Sequence, residues 1–223
     1  MYANVAELEL VGGHPALDLV NTVEPRVPQA GARPRDHLAD PAAVLIWARR
    51  AGLVDTAEAE AVERAWVAQP AAGEQALRAT REVREALHAV LLAAIGATPV
   101  DDPAALAGLD QLQLRWTRAI GRSTLSLEPG GPAIGRLIVG AAPATLVPDR
   151  AADAAVDLLR TADPGRLRQC PAEQGGCGWI FLDRSRNGSR RWCQMADCGT
   201  QAKIRRLTER RRAARRPGAQ ATG

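Results

Sequence analysis

The chain has 223 residues, 46% of them apolar but only 3% aromatic, so its core must be built from Leu, Val, Ile and Ala. No apolar run approaches the ~20 residues that span a bilayer, and the first residues lack the basic-then-apolar pattern of a leader, so a cytoplasmic protein is expected. The net charge of +4 hides an asymmetry: residues 160–216 hold 15 Lys and Arg against 5 Asp and Glu, while the remainder holds 14 against 20. A basic end beside an acidic body suits a chain of which one part meets a polyanion.

In chain order, Leu8, Leu10 and Val11 alternate as in a short strand, which Gly12-Gly13 breaks. His14-Pro15 opens a helix with Ala16, Leu17, Val20 and Val23 on its apolar side. Asp18, Asn21 and Thr22 fall at i, i+3, i+4 and share a polar face. With His14 they are candidate contacts for a small-molecule effector pocket; the competing expectation is a hydrogen-bond network tying this helix to the loop around Arg33, Arg35 and Asp36.

Residues 24–35 read as a loop. Asp40-Pro41 is an N-cap followed by Pro at the first helical position, with Val44, Leu45, Trp47 and Ala48 as the apolar stripe and Gly52 as the stop. Further helices are expected over 56–67, 74–95, 103–119 and 149–160, the second of these lined by Leu77, Val83, Leu87, Val90 and Leu91. Residues 123–128 alternate like a strand, and 134–139 fit strand or helix equally. Asp163-Pro164-Gly165 ends the last of these helices and sets the expected boundary between domains 1–163 and 164–216, leaving 217–223 as a disordered tail.

All four cysteines lie between 170 and 198. They are spaced C-x6-C, then 15 residues, then C-x4-C, the grammar of a zinc ribbon with Cys170, Cys177, Cys193 and Cys198 as ligands of one structural Zn2+. Trp179–Leu182 reads as a strand, and Asn187-Gly188 is a hairpin turn that would return it through Arg191-Trp192 to Cys193. A Gly follows both Cys177 and Cys198, where a tight turn can aim amides at thiolates. Two disulfides would need an oxidising compartment, and redox catalysis would favour C-x-x-C; four-cysteine iron–sulfur ligation stays an open alternative.

From Thr200 a basic helix runs to Arg216 and is stopped by Pro217-Gly218, with Ile204 and Leu207 expected to pack on the finger. Lys203, Arg205, Arg206 and Arg210 on this helix join Arg184, Arg186, Arg190 and Arg191 of the hairpin as the expected DNA-binding surface. Asp183 is expected to pair with Arg190 or Arg191 across the hairpin. No nucleophile elbow, zinc-protease motif, phosphate loop or dinucleotide fingerprint is present, and the chain is not expected to be an enzyme.

The stretch from Cys170 to Gly199 closely resembles the CGNR zinc finger that ends bacterial proteins described as stress-induced transcription regulators. Gly12-Gly13-His14-Pro15-Ala16-Leu17-Asp18-Leu19-Val20-Asn21-Thr22 is similar to the opening of the ABATE domain that precedes that finger. The name motif departs here: Cys198-Gly199 is followed by Thr200-Gln201 instead of Asn-Arg. The resemblance implies a DNA-binding regulator answering a small-molecule or stress signal, with a homodimer as one form. The rival expectation is an adaptor whose basic finger docks an acidic partner of the transcription machinery. The expected fold is a mainly α N-terminal domain with a few short strands, then a zinc-ribbon-like β-hairpin module and the basic helix.

Overall fold

A computed structural model describes residues 4–27, 33–128, 130 and 134–214. The N-terminal part is built from α1 (Pro15–Val20), α2 (Pro41–Arg50), α3 (Thr56–Ala68), α4 (Pro70–Ala94), α5 (Pro103–Ile120) and α6 (Leu146–Thr161). Their starts follow from capping chemistry. Asp40 accepts the Ala43 amide at 2.8 Å, Asp55 and Glu58 form a reciprocal capping box, and Asp102 accepts the amides of Ala104 and Ala105. Two helices begin earlier than expected. Pro70 takes the first position of α4, four residues before Glu74, and α6 carries Pro148 within its first turn. Both placements are tolerated because those first-turn amides have no intrahelical acceptor to lose.

The long helix α4 is the spine. It turns Leu77, Val83, Leu87 and Leu91 inward, and α5 and α6 pack along it with Leu112, Ala152, Ala155 and Leu158 buried. Ion pairs pin the periphery. Arg150 reaches Glu58, and Arg122 grips the fully buried Asp149 through two bonds of 2.9 and 2.5 Å.

Among the described residues, three antiparallel ribbons complete the fold. Strands β1 (Val23–Glu24) and β2 (Arg35–Asp36) pair Val23 with Asp36 at the two ends of the expected loop, whose residues 28–32 lie outside the described residues. Strands β3 (Thr124–Leu127) and β4 (Gly135–Ile138) pair Leu125 with Leu137, so the segment of ambiguous periodicity is a strand. The third ribbon, β5 (Leu167–Gln169) and β6 (Ile180–Leu182), belongs to the cysteine module. A π-helical turn, Met195–Gly199, then leads into α7 (Thr200–Ala214). The expected helix stop at Pro217-Gly218 and the tail 217–223 lie outside the described residues.

Two local expectations are corrected. Leu8, Leu10 and Val11 form no strand. Their alternation serves two cores: Leu8 and Val11 pack on the cysteine cluster, and Leu10 faces the helical core. The partner of the strand after Cys177 is also different. Phe181 pairs with Arg168, ahead of the first cysteine, and not with the segment returning to Cys193. Residues 183–192 instead coil around Asp183, which frees this segment from any ladder.

Candidate zinc centre and basic surface

The first cysteine pair lies in the connection between β5 and β6, so strand pairing itself brings Cys170 and Cys177 together. Cys170 donates its amide to the Trp179 carbonyl at 2.8 Å, extending the ladder to the ligand. Of the second pair, Cys193 precedes and Cys198 lies within the turn Met195–Gly199 that leads into α7. The four Sγ atoms lie within 4.8 Å of one another and all four residues are buried. Cys177 Sγ stands 3.4 Å from Cys193 Sγ, which stands 3.6 Å from Cys198 Sγ. A disulfide would bring sulfurs to about 2.05 Å. A tetrahedron of Zn–S bonds of about 2.3 Å has edges of about 3.8 Å, so this donor set fits one zinc ion with every position closed.

Two glycines shape the first pair's loop. A Cβ at Gly176 would lie 2.6 Å from Cys170 Sγ, so only glycine lets the chain pass over the ligand. Gly178 holds φ +79° immediately after Cys177, in the left-handed region where a side chain is strained. Leu8, Trp179 and Phe181 close the cluster from the apolar side.

The finger is welded to the helical domain through the face that carries Asp18, Asn21 and Thr22. Asn21, 1% exposed, pairs with Ile180 as a strand neighbour would: its Nδ2 donates to the Ile180 carbonyl at 2.9 Å and its Oδ1 accepts the Ile180 amide at 3.0 Å. One edge of β6 thereby gains a partner from outside the finger. Beside it the Leu182 amide donates to the Gly12 carbonyl, the Arg26 amide to the Cys177 carbonyl, and the Trp179 indole to the Val23 carbonyl, each at 2.8 Å.

The other groups of that face are also engaged within the chain. Asp18 Oδ1 accepts the Gly12 amide at 2.8 Å, and burial pushes its carboxyl from 3.8 up to about 6. Thr22 donates to the Leu19 carbonyl and accepts from Arg84, whose guanidinium holds Asp36 at 2.6 and 2.8 Å. His14 caps α1 by accepting the Ala16 amide, and its other ring nitrogen meets Asp157. The face expected to line an effector pocket is therefore a seam and a network, and Asp36 is its loop-side anchor. Arg84 and Arg26 were not singled out from the sequence. Arg84 had a signal: a charge beside Thr80 and Leu87, inside an apolar stripe. Arg26 sits in a loop without periodicity and had none.

The expected basic surface divides in two. Arg190 is an internal strut: it donates to the carbonyls of Val11 at 3.0 Å, Trp192 at 3.1 Å and Cys193, and lies 4.3 Å from the Phe181 ring centroid. Arg184 donates to the Gly13 carbonyl across the seam. Asp183 pairs with no guanidinium of Arg190 or Arg191. Its two oxygens accept the amides of Ser185 and Arg190 at 2.8 Å, and hydrogen bonds led by the Ser185 side chain hold its carboxyl below the ordinary range. Arg191 bonds Gln174 and lies 5.9 Å from the Trp192 ring. Arg186, Lys203, Arg205, Arg206 and Arg210 are exposed, and among the described residues no hydrogen bond or ion pair holds them.

Helix α7 itself docks by a different face than expected. Ala202 is buried on the finger, while Ile204 and Leu207 are 59% and 49% exposed. The entry turn fixes this phase: Thr200 donates its hydroxyl to the Met195 carbonyl at 3.1 Å, and Gln201 points to solvent.

A small four-cysteine finger fused by backbone and side-chain bonds to a helical domain defines a zinc-stapled two-module protein. Residues 166–211 match the CGNR zinc finger, and residues 13–162 match the ABATE model, described as “Putative stress-induced transcription regulator”. The second match spans most of the chain, and the chain belongs to the ABATE family, with a CGNR zinc finger at its C-terminal side. Comparison with curated proteins gives no match. Among the described residues no helix is long and apolar enough to cross a membrane.

Proposed function

We propose that this protein is a DNA-binding transcription regulator of the cytoplasm. In this reading zinc on Cys170, Cys177, Cys193 and Cys198 holds the finger, and Arg186, Lys203, Arg205, Arg206 and Arg210 meet phosphates. The supporting observation is the division among the cations: those on α7 and at the turn tip are exposed without internal partners among the described residues, beside the four-cysteine cluster. Arg184 and Arg190 leave the proposed contact set because they hold backbone carbonyls of the N-terminal segment, and Arg191 leaves it because it bonds Gln174. Asp18, Asn21 and Thr22 likewise leave the effector reading, since their hydrogen bonds close within the chain. The role of the metal is structural, because four thiolates leave zinc no open position for chemistry.

Binding to random-sequence duplex DNA across a salt series tests the proposal. About five phosphate contacts give a log–log slope near −4.5, or roughly a five-hundredfold loss of affinity between 50 and 200 mM salt. A flat response, or no binding at low salt, would instead favour the adaptor that docks an acidic protein.

A further inference from the structure

The cations of α7 also rim a groove whose apolar floor has no part in duplex binding. It has a volume of about 560 Å3 and runs between α7 and the turn Ala172–Gln174 of the first cysteine loop. Its floor is apolar: Trp192, Met195 (68% exposed) and Leu207. Its rim is cationic, with Arg191, Lys203, Arg205, Arg206 and Arg210 against the one acid Glu173. The volume falls in the range of pockets that take small organic groups.

The two layers ask for a ligand with a flat apolar unit flanked by several negative charges. Duplex DNA presents the charges, but its bases are stacked and paired, with no free face to lay on Trp192. A single strand offers both: a base can stack on Trp192 while neighbouring phosphates reach the rim. An acidic peptide with an apolar anchor is the competing ligand. The rim favours nucleic acid, because four of its five cations are Arg, whose planar forks grip phosphate bidentately and also stack on bases. We propose that the groove between α7 and the first cysteine loop binds single-stranded nucleic acid, seating one unstacked base on Trp192 and Met195. This proposal rests on the nucleic-acid reading of the basic surface.

The test uses the full-length zinc-loaded protein and three fluorescent probes: a short oligothymidylate, a random duplex and polyglutamate. Trp192→Leu keeps an apolar contact on the finger but removes the stacking face. Met195→Ala is a second variant at an exposed floor position, and zinc content per chain checks that both remain folded. Each variant is expected to weaken oligothymidylate about tenfold and to leave duplex affinity within about twofold. The inference is overturned if both variants bind oligothymidylate as the parent does, or if polyglutamate displaces it at equal charge. Duplex binding that persists in that event leaves the DNA reading standing, whereas loss of all nucleic-acid binding by the parent protein would remove both.

Discussion

Arg190 and Arg206 come from the same basic stretch of sequence and do opposite things. Arg190 is folded inward, holding three backbone carbonyls and covering Phe181, so its charge serves the joint between finger and helical domain. Arg206 stands on α7 with solvent around it and no partner among the described residues. A cluster of arginines is thus two populations, and the one proposed to meet a polyanion is the one the fold leaves unengaged. Zinc sits between them. It fixes the coil that carries Arg190 and the turn that launches α7.

The largest test of that division is removal of the metal. Chelation should unfold the β5–β6 ribbon and the entry to α7, since structural zinc contributes on the order of 10 kcal/mol and this segment has little core without it. The helices around α4 should persist. Because Leu8 and Val11 pack on the cysteine cluster, amide exchange should rise there as well as in the finger. Exchange confined to residues after 164 would break the picture of one welded unit.

Next in size is the joint itself. Asn21→Ala leaves both the amide and the carbonyl of Ile180 without partners in a buried seam, a loss of roughly 3 kcal/mol in denaturant unfolding. A neutral result would mean the finger and helical domain stay together without this pair.

Asp18→Asn should act the other way. The raised pKa of Asp18 means its contribution to stability is complete below 3.8 and is lost as pH rises through about 6. At 1.36 kcal/mol per pKa unit the penalty of the ionised form approaches about 3 kcal/mol at neutral pH. An Asn oxygen still accepts the Gly12 amide, so the variant should be more stable at pH 7.5 and lose that advantage toward pH 4. An advantage that does not change with pH would assign it to something other than the buried charge.

Much of this was legible in the sequence. The cysteine spacing located the metal site, and Asp40-Pro41 and Gly52 marked the ends of α2, because ligand geometry and helix termini are local chemistry. The strand-like Leu8–Val11 misled, because alternation reports only that both sides of a chain are covered, and here two different cores cover them. The partner of Ile180 was hidden for a related reason. A side-chain amide from residue 21 occupies a strand edge at residue 180, and no local pattern announces a pairing across that distance. The phase of α7 was missed because Ile204 and Leu207 look like a packing pair, whereas the turn through Met195–Gly199 rotates Ala202 onto the finger instead.

The smallest expected stability effect carries the most about function. Arg206→Ala and Arg210→Ala should change unfolding free energy by no more than about 0.5 kcal/mol, as exposed substitutions do. Arg190→Ala should destabilise the protein by about 2 kcal/mol, through the carbonyls it abandons. The decisive measurement is the salt dependence of duplex-DNA affinity for these three variants beside the parent, at matched zinc content. A slope shallower by about one is expected for each α7 arginine removed, and the parent's slope for Arg190→Ala. An unchanged slope in Arg206→Ala and Arg210→Ala, with a shallower one in Arg190→Ala, would contradict that expectation.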